Sequence, residues 1–212
     1  MQSQAQRKST ALRSGNLWDD MDQATLAREL KKLEGELQQA NARIVRLEQL
    51  ADTDEFLSIA NRRAFERALR RSISSVARYG DPICVVSIDI NGMKLINDNY
   101  GHPAGDAALK TVADVLSGNT RATDLVARVG GDEFAMILAH VDEAAAEAKC
   151  RHLAEQVRDA GITVAGEHLP VDIAFGVAAI PRETSPEEIM IEADRRMYRM
   201  KAESRNPARG RI

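Results

Sequence analysis

Asp89 closes the apolar run "PICVVSID", and Asp132 and Glu133 follow two glycines inside "RVGGDEFAMIL". A carboxylate at the end of a strand buried on both faces is costly unless it is paired or holds a metal. Along the chain Asp89 has no obvious cation except Lys94, so a hard divalent ion is the natural partner. Neighbouring strands of a hairpin could bring Asp132 or Glu133 beside Asp89. Two or three convergent carboxylates suit Mg²⁺, which leaves places for water and substrate phosphates and so points to phosphoryl or nucleotidyl transfer. A solvated turn would account for Asp132 and Glu133 alone, but not for Asp89. Calcium fits poorly, because "DINGMKLINDNY" has Met93 at the fifth ligand position of an EF-hand loop and lacks its final Glu.

A nucleotide site also needs phosphate and base contacts. There is no GxxxxGK[ST] sequence, which excludes a P-loop. Lys201 and Arg205 lie one helical turn apart in "YRMKAESRN" and could clamp phosphates, although basic residues also complement any helix C-terminus. Asn97 and Asp106 in "INDNYGHPAGD" have the groups that select guanine over adenine, and both are equally ordinary loop formers.

The elements that must position these residues are legible in the pattern. "PICVVSIDI" reads as a strand buried on both faces. Asn61 and Gly80 bracket a helix whose apolar face is Phe65, Leu69, Ile73 and Val76. Helices are expected within "GMKLINDNYG" and "PAGDAALKTVADVLSG", and a hairpin from "DLVARV" to "EFAMILA", its Gly-Gly pair suited to a type I′ turn with positive φ. A helix over about residues 142 to 160, a strand in "VDIAFGVAAI" and a helix opened by the capping box Ser185 to Glu188 complete the order β-α-α-β-β-α-β-α. An α/β (α+β) sandwich with a mixed, mainly antiparallel sheet flanked by helices is expected.

Ahead of it, Leu26, Leu30, Leu33, Leu37, Ala40, Ile44, Leu47 and Ala51 make a heptad seam with charges of both signs beside it. A parallel coiled coil over residues 20–52 is expected, the simpler alternative being an amphipathic helix folded on its own domain. Residues 1–19 read as disordered, with Trp18 the residue there suited to packing. The domain proper is then 53–212.

The 212 residues are 44% hydrophobic and 29% charged, enough for one core plus an extension. A net charge of -3 gives no general drive toward nucleic acid. Cys84 and Cys150 show no CxxC or His cluster and read as packing thiols in a reducing compartment. With neither an apolar leader nor 18 consecutive apolar residues, a cytoplasmic protein without a transmembrane segment is expected.

Taken together, "GGDEF", the preceding "DINGMKLINDNYGHPAGDAAL" and the following "EADRRMYRMKAESRN" resemble the GGDEF family of diguanylate cyclases from about Asp54 to Asn206. The resemblance implies a palm-like fold and a reaction in which two GTP molecules become cyclic di-GMP with release of pyrophosphate, each of two facing subunits holding one GTP. It implies Mg²⁺, or Mn²⁺ in its place, on Asp89, the Ile90 carbonyl and Asp132. Glu133 would lie near metal and ribose, with Asp132 or Glu133 assisting deprotonation of the 3′-hydroxyl. Lys94 would offset charge on the transferring phosphate. Asn97, His102 and Asp106 would contact the nucleotide, Asn97 and Asp106 at the guanine, and Lys201 and Arg205 would bind phosphates. "RATD", five residues before the two glycines, supplies Arg121 and Asp124 as an inhibitory product site.

The chain departs from the family pattern twice. The DxLTGLxNRR motif appears as "DEFLSIANRR", with Leu57 and Ser58 replacing Thr and Gly. DxDxFK appears as "DINGMK", with Asn91 replacing the second acid and Met93 the Phe. These changes support the alternative of a catalytically weak module acting as a GTP or cyclic di-GMP receptor and interaction scaffold. Retention of every signature acid favours the active cyclase.

Overall fold

The computed structural model describes residues 23–204. Disorder over 1–19, the packing of Trp18 and the placement of Arg205 therefore lie outside the described residues. Helix α1 (Gln23–Asp52) leaves Leu30, Leu33 and Leu37 exposed.

Strand β2 (Ile83–Ile90) is buried at every position, as its unbroken apolar pattern requires. It pairs antiparallel on one side with β4 (Glu133–Ala139) and on the other with β7 (Ile173–Ala179). Strand β3 (Leu125–Arg128) pairs antiparallel with β4, and the two-residue β1 (Ala60–Asn61) adds in parallel beyond it. The sheet order is β1-β3-β4-β2-β7, mixed and mainly antiparallel as expected. A separate ribbon, β5 (Ile162–Val164) with β6 (Glu167–Leu169), was not anticipated, because its strands are short and mostly exposed.

Alternation along β2 divides the core. Ile83 and Val85 pack with Phe65, Leu69 and Val76 of α2 (Arg62–Tyr79) and Ile189 and Ala193 of α6 (Pro186–Ser204). Cys84, Val86, Ile88 and Ile90 pack on the opposite face with α3 (Met93–Tyr100), α4 (His102–Gly118) and α5 (Glu143–Ala160). Ser87 and Asp89 continue the alternation of Ile83 and Val85, so both point to the α2/α6 face. Burial pushes the Cys84 and Cys150 thiols up to about 11 and about 12, as befits packing residues.

The helix signals hold. The Asn61 side chain accepts from the Ala64 N–H at 3.0 Å, and Gly80 ends α2 at φ 74°. The capping box before α6 is reciprocal, with Ser185 N–H donating to Glu188 at 2.8 Å and Glu188 N–H to Ser185 Oγ at 3.1 Å.

Candidate active site

The register of β2 on β4 sets Asp89 directly across from Glu133. Paired residues of an antiparallel ladder share a face, so both carboxylates leave the sheet toward α2 and α6. The Ile90 N–H donates to the Asp132 carbonyl at 3.2 Å, which ties the end of the central strand to the glycine loop. Asp89 is only 7% exposed. Its partner is not Lys94 but the Lys201 ammonium, which donates to Asp89 Oδ1 from 112 positions away. Helix α6 lies across β2 and delivers this cation, a pairing that proximity in sequence could not reveal.

The glycines do not form a type I′ turn. Neither Gly130 nor Gly131 has a positive φ. The N–H groups of Val129 and Gly130 both donate to the Glu133 carbonyl, at 2.9 and 3.2 Å, so the hairpin closes through a bulge rather than a two-residue turn. Gly130 leaves room for Glu133: a Cβ there would lie under 3.0 Å from Glu133 Oε2 and 3.1 Å from its Cβ, so the Glu133 side chain would have to shift.

The loop is clamped from behind by Arg128, which the sequence reading did not single out. Its Nε donates to the Gly130 and Gly131 carbonyls at 3.1 and 3.2 Å and its Nη2 to Gly131 at 2.8 Å. Nη1 lies 3.6 Å from Asp54 Oδ2. Asp54 in turn accepts from the Phe56 and Leu57 N–H groups at 3.0 and 2.9 Å, holding the turn that leads into β1. In that turn Ser58, which stands where the family pattern has glycine, adopts φ 55°. The one available signal for Arg128 was its place just ahead of "VGG".

On the other face, Lys94, Asn97, His102, Asp106 and Asp132 line one cavity of about 450 Å³, floored by Met93 and Leu109. Residues from α3, α4 and the hairpin loop thus converge although they span 94 to 132. Asn97 Oδ1 is buried and has no hydrogen-bond partner. Glu133 instead lines a hollow of about 340 Å³ beside Arg62 and Asp194, and Asp194 accepts from Ser87 Oγ at 2.5 Å. Among the described residues no group of three His, Cys, Asp or Glu side chains stands close enough to hold a metal by itself. The available set of Asp89, Asp132 and the Ile90 carbonyl is all hard oxygen. That donor chemistry suits Mg²⁺, which completes its shell with water and substrate phosphates.

Arg121 and Asp124 sit at the opposite end of the β3–β4 hairpin from the glycines. Arg121 is exposed. Asp124 is mostly occupied within the protein: it accepts from Arg121 N–H at 3.0 Å and Ala139 N–H at 3.2 Å, and Lys149 Nζ lies 3.8 Å away.

The family model described as diguanylate cyclase, GGDEF domain, matches residues 51–207. The chain is 38% identical to the response regulator PleD of Caulobacter vibrioides over 170 residues, which cover 77% of this chain and 37% of that protein. It is 33% identical over 164 residues to the probable diguanylate cyclase DgcT of Escherichia coli K12, covering 74% of this chain and 35% of the relative. The chain thus spans little more than a third of either relative's length. Among solved structures, the coiled coil and GGDEF domain of DgcB from Caulobacter crescentus, in complex with c-di-GMP, superposes with a TM-score of 0.71 at 25% identity, covering 88% of this chain and 97% of that one. On the family match across residues 51–207, this chain belongs to the GGDEF-domain family of diguanylate cyclases.

Proposed function

We propose that this chain is a diguanylate cyclase, joining two GTP molecules into cyclic di-GMP with release of two pyrophosphates. The observation that carries the reading is the convergence of Lys94, Asn97, His102, Asp106 and Asp132 on one cavity, beside a central strand ending in Asp89. Asn97 and Asp106 take the guanine edge, with His102 as a further nucleotide contact. Lys94, Lys201 and Arg205 take phosphate charge. Asp89, the Ile90 carbonyl and Asp132 would hold Mg²⁺, or Mn²⁺ in its place, which would supply Lewis-acid polarisation of a phosphoryl oxygen. The 3′-oxygen of one GTP attacks the α-phosphorus of the other and the bond to pyrophosphate breaks. Asp132 or Glu133 receives the hydroxyl proton. The same exchange then closes the ring.

Two loaded domains must meet. The segment 20–52 is the dimerisation element and 53–212 the catalytic domain. Exposed Leu30, Leu33 and Leu37 supply the apolar stripe that a partner helix would cover. Pairing raises the local concentration of the second active half-site. The protein is expected to work in the cytoplasm; no helix of the described residues is long and apolar enough to cross a membrane. Product binds at Arg121 and Asp124 and inhibits, a reading supported by the exposure of Arg121.

The deciding experiment incubates the purified chain with GTP and Mg²⁺ and assays cyclic di-GMP and pyrophosphate, beside Asp132→Ala. Product from the wild type alone supports the cyclase. GTP binding by a dimer without product supports the receptor reading, which Asn91 and Ser58 favour, and makes Asn91→Asp the first reversion. In an active enzyme, Arg121→Ala should relieve inhibition by added product; a wild-type rate indifferent to micromolar product removes the inhibitory site.

A further inference from the structure

Strand β7 ends the sheet, so among the described residues it meets a strand, β2, on one side only. The Ile180 N–H donates to the Ile83 carbonyl at 2.9 Å and the Asn91 N–H to the Asp172 carbonyl at 2.8 Å, so the even-numbered residues here turn their polar groups toward β2. Phe175, Val177 and Ala179 therefore turn theirs outward. Three of these outward groups are taken by side chains. The Phe175 N–H donates to Met200 Sδ at 3.4 Å, the Val177 carbonyl accepts from Arg196 Nη1 at 2.7 Å, and the Ala179 N–H donates to Glu143 Oε2 at 3.1 Å. Glu143 comes from α5 and Arg196 from α6, on opposite faces of the sheet, and Arg196 Nη1 donates to Glu143 Oε1 at 2.5 Å. The pair thus crosses the open edge. Gly176 lets α6 reach it: a Cβ there would lie under 3.0 Å from backbone atoms of Ala193, Arg196 and Met197, so the helix rests on the bare strand.

We infer that the Glu143–Arg196 pair is a latch that closes the β7 edge to a second copy of this chain. An uncovered strand edge is a template for pairing with another strand. The edge of β7 suits its own copy, because antiparallel pairing about Val177 sets Phe175 of one copy opposite Ala179 of the other, each offering outward N–H and carbonyl groups. With the latch closed, the Val177 carbonyl and the Ala179 N–H are spent within the chain, and the two side chains stand where the second strand would lie. Both side chains are about a third exposed, at 31% and 38%, and such an ion pair adds little to stability. Its position across the edge is what distinguishes it.

The test uses the full chain carrying Glu143→Ala and Arg196→Met, read by amide hydrogen exchange at single residues and by sedimentation velocity over a range of concentrations. In dilute solution the Ala179 amide should exchange at least about tenfold faster than in the wild type, while the Ala178 amide, turned to β2, keeps its rate. As concentration rises, the double variant should form heavier species that the wild type lacks at the same concentration, and the Ala179 amide should slow again as its partner covers it. If the double variant does not melt cooperatively, Glu143→Ala alone carries the comparison, because it frees the Ala179 N–H and leaves Arg196 on the Val177 carbonyl. An Ala179 amide that exchanges as in the wild type overturns the latch. Faster exchange with the wild-type mass at every concentration overturns closure against a second copy. Heavier species in which Ala179 still exchanges fast place their contact elsewhere and overturn it as well.

Discussion

The acidic edge and the base pocket lie on opposite faces of one sheet and are satisfied in opposite ways. On the α2/α6 face the buried charge is already answered within the protein: Asp89 is bonded to Lys201. On the α3/α4 face a buried acceptor, Asn97 Oδ1, has no partner at all. The difference teaches that loss of function at the two faces should come by different routes, through stability at one and through binding alone at the other.

Removing Asp89 is the harshest way to test this. Asp89→Ala removes the carboxylate that the Lys201 ammonium bonds in a mostly buried place, which should destabilise the fold by about 1–3 kcal/mol as well as abolish product formation. Asp132→Ala and Asn97→Ala should leave the melting temperature near that of the wild type, the first losing turnover and the second losing nucleotide affinity. Thermal melts beside the cyclase assay separate the three. An Asp89→Ala protein as stable as wild type would show that the Lys201 pair contributes nothing and that the contrast between the faces is false.

The Arg128 clamp sharpens the comparison at the hairpin loop that serves both faces. Arg128→Lys keeps the charge but cannot reach two carbonyls and Asp54 in one planar fork. The hairpin that carries Asp132 and Glu133 then loses its fixed position, and turnover should fall about tenfold with little change in GTP affinity. Steady-state kinetics check this; a raised KM at unchanged kcat would mean that Arg128 serves binding rather than placement of the loop.

Much of this architecture was legible and the misses have physical reasons. Burial of β2, the caps of α2 and α6 and the hairpin between β3 and β4 followed from local pattern, because period, caps and turn residues act over a few positions. The pairing of Asp89 with Lys201 depends on how the distant helix α6 crosses the sheet, which no local pattern encodes. Strand β1 is two residues long and carries no alternation to read. The glycine pair misled because it has two uses. Positive φ was expected, whereas the bulge requires at Gly130 only room for the Glu133 side chain. Of the site residues drawn from the family resemblance, Lys94, Asn97, His102, Asp106 and Asp132 line one cavity, whereas Asp89, Lys201 and Glu133 lie on the other face and Arg121 and Asp124 at the far end of the hairpin; Arg128 became visible only in three dimensions.

Ser58 offers a smaller effect on the segment that Arg128 holds. At φ 55° a residue with a Cβ is strained by about 1 kcal/mol. Ser58→Gly should therefore stabilise the domain by up to about 1 kcal/mol, partly offset by the greater freedom glycine gives the unfolded chain. Denaturant titration measures it. If the serine makes the approach to the domain looser, turnover should rise with stability; a rise in stability with constant turnover would confine Ser58 to the turn itself.

The far sheet edge provides the control, with ion pairs that touch neither face of the site. Arg196 donates to Glu192 at 2.7 Å, to Glu143 at 2.5 Å and to the Val177 carbonyl at 2.7 Å, binding α6 and α5 to β7. Hydrogen bonds from Arg195 and Arg196 hold Glu192 down at about 2, against an ordinary 4.5. For Glu143, burial pushes upward, but the Arg196 bond and the Ala179 N–H outweigh it and leave it lowered. A carboxylate lowered in the folded state stabilises above its unfolded value and loses that contribution as pH falls through its folded one. The melting-temperature gap between wild type and Glu192→Gln should thus be full at neutral pH, shrink below about 4.5 and close toward about 2. Because the Glu192 side chain is about a third exposed to solvent and salt, the gap should be the smallest of these effects and should narrow as ionic strength rises. Turnover at neutral pH should not change. A loss of activity in Glu192→Gln would mean that the edge network reaches Lys201 through α6, and that the acidic edge is held from farther away than its own ion pairs.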